Sequence, residues 1–147
     1  MKIRAGFVSN SSSCSFLVLS DNSKTWLEPN WGKVLTITNE DGESEFGWQN
    51  VKYHDFYSKA IFAYLLAQGL PTGSQRADAL FVLDRTIKNN SKVDTIEWEI
   101  NLYKAYIDHG STIEERPENG KIFKSEEKMR LFLFNDSSYI QNCNDNE

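Results

Sequence analysis

The sequence predicts an α+β fold, in which a small, mostly antiparallel sheet packs against an αα-hairpin and a C-terminal helix. Short apolar runs of strand length lie near both ends of the chain, and two consecutive segments with helical periodicity lie between them. Strands and helices do not alternate as they would in a doubly wound sheet. The length of 147 residues predicts one domain, residues 1–147, that can bury a core without disulfides.

Strand-like patterns come first along the chain. Residues 16–20 form a short apolar run, which is typical of a buried strand. Residues 33–38 are rich in β-branched side chains, and turn-forming residues follow them. Because a second strand-like run lies at residues 43–48, the pattern predicts a β-hairpin.

The middle of the chain predicts two helices. Residues 55–68 carry apolar side chains on nearly every side, so we expect a buried central helix that Asp55 caps. A second helix is predicted over residues 74–89, with either Thr72 or Ser74 at its N-terminus. We expect the buried face of the second helix to comprise Ala77, Leu80, Phe81 and Ile87.

The C-terminal part predicts further strands and one more helix. Residues 93–100 alternate between apolar and polar and predict a half-exposed strand, whereas residues 103–107 are either its partner or a short helical turn. Residues 125–134 predict a helix with acidic side chains in its first turn. A short last strand is predicted at residues 139–140, and the polar tail at residues 142–147 is expected to fray.

Composition excludes several classes of protein. The net charge of −5 and the lack of a basic stripe disfavour nucleic-acid binding. No apolar run approaches the 18–20 or so residues that span a bilayer, and the apolar stretch after Lys2 and Arg4 is too short for an export signal. We therefore expect a cytoplasmic protein with no membrane contact, whose cysteines are reduced and not bridged. No motif or ligand spacing predicts a metal or a cofactor.

A polar run near the N-terminus is the most unusual motif, and it belongs to a serine-rich segment at residues 1–15. The run comprises Ser9, Asn10, Ser11, Ser12, Ser13 and Cys14. Its hydroxyl and backbone N–H groups would bind an anion if the loop curls around it. Alternatively, a serine or Cys14 would act as a nucleophile, or the serines would accept phosphate. The simpler interpretation is a solvated arm whose hydroxyls bond locally to the backbone.

A second polar cluster contains Asp108, His109 and Ser111. An Asp–His pair can orient an imidazole for general-base catalysis or bind a metal, although adjacent strand residues pair only where the backbone turns. The alternative is an ordinary surface turn. In the tail, Asp145 and Glu147 would bind a divalent cation or simply fray. If the strands next to them are neighbours, the serine-rich loop, the Asp–His pair and the tail would line one cleft.

Three tryptophans in the N-terminal third are candidate anchors for a protein partner. They are Trp26, Trp31 and Trp48. Large aromatic side chains contribute most to interface energies, so exposed members of this set would bind a partner. The alternative is that each packs in the core.

The opening residues, Arg4-Ala-Gly-Phe-Val-Ser-Asn-Ser-Ser-Ser-Cys-Ser-Phe16, resemble the start of a group of small uncharacterised phage and bacterial proteins with a "GFVSNSSSSSF"-like motif. The resemblance extends to residues 106–111 and to the C-terminal stretches 132–135, 138–140 and 144–146. Cys14 stands where the group usually has serine. The resemblance implies a phage or prophage accessory product that acts in the host cytoplasm and shares the N-terminal run with its relatives.

These observations predict a non-enzymatic accessory protein that binds a host or phage protein. The alternative is a small hydrolase or nucleotide-binding enzyme that uses the serine-rich loop together with Asp108 and His109. A further alternative is a minor component of the virion. The sequence does not set the oligomeric state.

Overall fold

The computed structural model describes residues 13–21, 25–47 and 50–144. Within these residues the prediction of an α+β fold is confirmed, because a small, mostly antiparallel sheet packs with a helix pair and a third helix. The elements are β1 Ser13–Val18, β2 Val34–Thr38, β3 Lys52–Tyr53, α1 Phe56–Gln68, α2 Gly73–Asn89, β4 Thr95–Glu99, α3 Glu126–Phe134 and β5 Tyr139–Asn144.

The larger sheet joins the two ends of the described chain. Its order is β1-β5-β3, and both pairings are antiparallel. β5 is longer than predicted, and the expectation that the tail frays from residue 142 is wrong for Asn142, which is 1% exposed. Asn142 is ordered because it pairs with Ser15 in the register and its backbone N–H donates to Val51 O at 2.8 Å.

The second sheet corrects the predicted hairpin. β2 pairs in parallel with β4, and not with residues 43–47, the described part of the predicted partner. A turn does follow β2, but Glu43 N then donates to Ser58 Oγ at 2.8 Å, and a Cβ on Gly42 would lie 2.6 Å from Ser58 N. These contacts hold the chain against the first turn of α1 and away from β2. Beyond them, Phe46 N donates to Tyr106 O at 2.7 Å.

The helices follow the predicted boundaries closely. In α1, Asp55 Oδ2 accepts the Ser58 backbone N–H at 2.9 Å, and the helix is buried on most sides. In α2, Thr72 is the N-cap and forms a capping box with Gln75. Ser125 caps α3. The start of each helix is predictable from the local sequence, because each capping side chain binds the backbone N–H only three residues later.

The predicted buried face of α2 is partly wrong. Ile87 is buried, but Phe81 is 60% exposed. The buried side instead comprises Ala79, Leu83, Thr86 and Ile87, which recur at the three- and four-residue spacing of one helical stripe. Phe81 lies across the helix from Ala79, because two residues correspond to about 200° of rotation.

The segment between β4 and α3 contains short helical turns. Leu102–Lys104 forms a 3-10 turn, which resolves the alternative at residues 103–107, and Tyr106 then makes a bridge to Glu45. Pro117–Phe123 forms a longer 3-10 helix, in which Ile122 is fully buried. This segment therefore belongs to the core and packs against α3, β1 and α2.

Candidate functional site

A cavity of about 330 Å³ lies where the start of α1, the end of α3 and the loop before β2 meet. We call it the Trp31 pocket. Its lining comprises Leu27, Trp31, His54, Asp55, Phe56, Tyr57, Lys59, Leu133, Phe134 and Asp136. The loop is fixed there because Leu27 N donates to Phe134 O at 2.7 Å and Trp26 forms a β-bridge with Asn135.

Aromatic rings form the walls of the Trp31 pocket. The ring centroids of Trp31 and Phe56 are 4.5 Å apart, and Phe134 lies 6.2 Å from Trp31 and 5.5 Å from Phe56. Tyr57 meets Phe56 edge-on at 5.4 Å. Phe56 and Phe134 are buried, whereas Trp31 and Tyr57 keep part of their surface exposed. The cavity is therefore an aromatic site that a side chain from outside can reach.

Lys59 lies at the base of the pocket, although it is only 1% exposed. Its Nζ donates to Asn135 O at 3.0 Å and to Ser138 O at 3.1 Å, so it binds carbonyls that follow the C-terminus of α3. Burial lowers the pKa of Lys59 to about 8, while the carboxylates of Asp55 and Asp136 oppose that shift. The amine holds the pocket floor to the turn before β5.

The rim of the pocket carries polar groups. His54 Nδ1 lies 2.7 Å from Asp136 O. Because a carbonyl oxygen only accepts, Nδ1 carries the proton, and Nε2 remains an acceptor in the neutral ring. Asp55 and Asp136 are exposed next to it. Burial and the nearby Asp41 raise the pKa of Tyr57, and a hydrogen bond with Trp31 opposes this shift.

The predicted catalytic residue Asp108 lies in a different place, in a fully buried polar network between β1 and β5. Its Oδ1 accepts from Ser15 Oγ at 2.9 Å and from Ser111 Oγ at 2.6 Å. Ser15 Oγ also lies 2.7 Å from Asn142 Oδ1. One hydroxyl proton cannot serve both acceptors, but a half-turn of the Asn142 amide supplies an N–H and satisfies both contacts.

Asn119 extends this network to the neighbouring backbone. Its Nδ2 donates to Ser15 O at 3.0 Å and to Ser111 O at 2.8 Å, and its Oδ1 accepts Leu17 N at 3.0 Å. Among the described residues, Asp108 Oδ2 has no hydrogen-bond partner. All side chains of the network are closed to solvent, so the network joins strands and does not present groups to a substrate.

One described residue from each of the three predicted segments takes part in this network, which is closed to solvent and is not a cleft. Ser15, Asp108 and Asn142 are in hydrogen-bond contact. His109 lies in a 3-10 turn, His109–Ser111. The remaining members of the clusters, Ser9, Asn10, Ser11, Ser12, Asp145 and Glu147, lie outside the described residues, and Ser13 is the first residue of β1.

Cys14 corrects the expectation of reduced thiols. It is disulfide-bonded, and the register places Cys143, the other cysteine of the chain, directly opposite it. Directly opposed residues of an antiparallel pair have Cα atoms about 4.5–5.5 Å apart, which suits a disulfide. Sequence alone could not predict the disulfide, because the two cysteines meet only when β1 and β5 pair.

The three predicted tryptophan anchors have different positions. Trp31 lines the pocket described above. Trp26 is half-buried, and the Arg130 guanidinium lies over its ring at 4.1 Å from the centroid. Trp48 lies outside the described residues. Of the two described members, Trp31 is the one that combines partial exposure with a cavity.

Sequence reasoning missed Lys59 as a site residue. A usable signal was present, because Lys59 is the only charged residue of α1, a helix predicted to be apolar on nearly every side. A charge in such a helix must be buried and therefore must have polar partners. The partners themselves come from the turn around Asn135, about 75 residues later, and had no local signal.

Two further kinds of site have no candidate among the described residues. No group of three or more His, Cys, Asp or Glu side chains is placed to hold a metal ion in the part of the chain that the structure describes. None of the helices in the described ranges is both long and apolar enough to cross a bilayer.

Comparison with known proteins identifies no relative of this chain. No protein-family model matches the chain, and neither curated proteins nor solved structures show a significant match.

Proposed function

We propose that this protein is a non-enzymatic accessory protein that binds a host or phage protein, and that the Trp31 pocket is its binding site. The observation that carries the proposal is the pocket itself, where aromatic walls remain partly exposed around a cavity of about 330 Å³. That volume lies at the lower end of the range for ligand pockets, roughly 300–1,000 Å³, and suits one side chain of a partner. Pockets that accept a single anchor side chain often contain most of the binding energy of an interface.

Leu27 makes the proposal testable without disturbing the core. It lies on the pocket rim, is 39% exposed, and is held by a backbone hydrogen bond that a new side chain does not remove. A photo-crosslinking amino acid at position 27 is expected to trap one stoichiometric partner in host lysate. The same group at Phe81, an exposed aromatic position on α2, is the matched control and is expected to trap none.

The decisive comparison is between two charge-introducing variants. Leu27→Lys is expected to abolish binding of the partner that was trapped at position 27, whereas Phe81→Lys is expected to leave its affinity unchanged. Equal trapping at both positions, or an unchanged affinity in Leu27→Lys, would count against the Trp31 pocket as the binding site.

A cytoplasmic location is part of the same proposal, and the disulfide of Cys14 allows a direct test. Cytosolic thiols are normally kept reduced, while disulfides persist in oxidising compartments. For a cytoplasmic protein, we expect rapid alkylation of intact cells, followed by non-reducing electrophoresis, to show a modified Cys14 thiol, with the disulfide seen in the structure forming only after the cells are opened. A disulfide already present in the cell would contradict a cytoplasmic location without bearing on the pocket.

A further inference from the structure

We propose that the anchor which the Trp31 pocket accepts is a cationic side chain, arginine or lysine, of the protein partner; this inference rests on the proposed function. The first supporting observation is the aromatic wall. Trp31 and Tyr57 are half-buried and line the cavity together with Phe56. The face of an aromatic ring attracts a cation within about 6 Å, and Trp does so most strongly.

The second observation is the set of polar groups on the rim, which is rich in acceptors. Asp55 and Asp136 supply carboxylates, and His54 offers Nε2 because its Nδ1 proton is directed at Asp136 O. Asp55 Oδ2 is already committed to the cap of α1. A guanidinium or ammonium group carries several N–H donors and no acceptor, so it complements this rim.

The charges around the pocket favour the same ligand. Asp55 and Asp136 lie on the rim, and the charge of Asp41 reaches Tyr57. The opposing cation of the lining is Lys59, which is buried at the pocket floor and binds Asn135 O and Ser138 O. The lining therefore holds two carboxylates against one ammonium group, which gives it a formal charge of −1 with His54 neutral. An acidic anchor at the rim would meet like charge.

The apolar part of the lining fits the stem of such a side chain. Leu27 and Leu133 line the cavity beside the aromatic rings. Arginine and lysine carry three or four methylene groups that pack on apolar surface while the charged end stays near polar groups. A long cationic side chain that lies across the mouth of the pocket therefore packs its stem on the apolar lining and keeps its charged end at the acidic rim, away from Lys59 at the floor.

Blocked tripeptides that differ only in the central residue test this inference on the full-length protein. The probes are acetyl-Gly-X-Gly-amide with X as arginine, lysine, norleucine, phenylalanine or glutamate. Binding is measured by titration of the ¹⁵N-labelled protein, followed at the Trp31 indole signal, which Trp31→Phe assigns. We expect arginine and lysine to bind more tightly than norleucine by roughly fivefold or more, and salt to reduce that difference.

Two variants identify the carboxylates that produce the preference. Asp55→Asn keeps a good helix N-cap, and Asp136→Asn changes an exposed side chain, so both variants are expected to fold. Each should weaken the cationic peptides severalfold and leave the norleucine peptide unchanged. Asp78→Asn removes an exposed carboxylate of α2 outside this pocket and should change neither.

The outcomes separate this inference from the proposed function. Tighter binding of norleucine, phenylalanine or glutamate peptides than of arginine and lysine would overturn the cationic anchor but leave the Trp31 pocket as a binding site. A cationic preference that survives in both Asp55→Asn and Asp136→Asn would also overturn it. If no probe shifts the Trp31 signal at millimolar concentration, both the inference and the choice of this pocket are refuted.

Discussion

The buried amine of Lys59 predicts that the protein becomes more stable as the pH rises through the mildly alkaline range. Burial lowers the pKa of Lys59 to about 8 in the folded protein, against an ordinary value of 10.5. Below about pH 8 both states carry the proton, and the folded state bears the cost of the buried charge. At higher pH the unfolded chain still holds a proton that the folded protein has lost, so the free energy of unfolding increases with pH.

The magnitude follows from these two values. The full difference corresponds to roughly 3 kcal/mol, since each tenfold change in proton affinity is worth about 1.4 kcal/mol. Above pH 10 a second group acts in the opposite direction, because burial and Glu43 raise the pKa of Tyr53 in the folded protein. The unfolded chain then loses the tyrosine proton first, and stability falls. Between pH 7 and pH 9.5 the contribution of Lys59 is about 2 kcal/mol.

Urea unfolding followed by circular dichroism at pH values from 7 to 9.5 measures this contribution. We expect the wild-type protein to gain about 2 kcal/mol over the range, and Lys59→Met, which keeps an unbranched stem but has no titrating group, to gain nothing. Lys88→Met is the control, because Lys88 is a partly exposed partner of Asp84 on α2. A flat wild-type curve, or an equal gain in Lys59→Met, would refute the reasoning.

Three further predictions concern stability and are measured by the same unfolding assay. Cys14→Ser should lose about 4 kcal/mol, because the disulfide closes a very long loop, and a reductant should lower the stability of the wild type but not that of the variant. Gly47→Ala should cost clearly more than Gly32→Ala: both have positive φ, but a Cβ at Gly47 would lie 2.8 Å from Asp108 Cγ, whereas Gly32 faces open space. Equal losses would contradict that account. Asp55→Ala should cost about 1 kcal/mol and Asp55→Asn almost nothing, since asparagine also caps helices; a similar loss in both would mean that the cap is not the cause.

The helices were predictable from the sequence because their signals are local. Asp55 and Thr72 accept hydrogen bonds from residues three positions later, so their role follows from spacing alone. The periodicity of α1 also indicated correctly that the helix is central. For α2 the same periodicity was ambiguous, since Phe81 and Leu83 are both large and apolar, and only the position of the neighbouring elements decides which one is buried.

Strand pairing was predictable only in part, because it depends on contacts between distant residues. The sequence correctly predicted a turn after β2, but the predicted strand partner of β2 was wrong. The chain after the turn contacts α1 instead, because Gly42 and Glu43 lie against Ser58. A parallel β2–β4 pair has no local turn signature of its own. The same limit applies to the Trp31 pocket, whose lining comes from a loop, α1 and the turn after α3. The sequence indicated Trp31 as an anchor but not the cavity beside it.

The buried network around Asp108 has a structural consequence that explains why polar residues occupy this part of the core. A one-residue slip between β1 and β5 would turn Ser15 away from Asp108. The buried Asp108 carboxylate would then lose the hydrogen bond that the Ser15 hydroxyl donates to it. Such a loss is costly in the interior, whereas two apolar strands would tolerate the slip more easily. The same slip would also move Cys14 away from Cys143. The contacts of Ser15, Asp108 and Asn142 thus favour the register that also places Cys14 opposite Cys143.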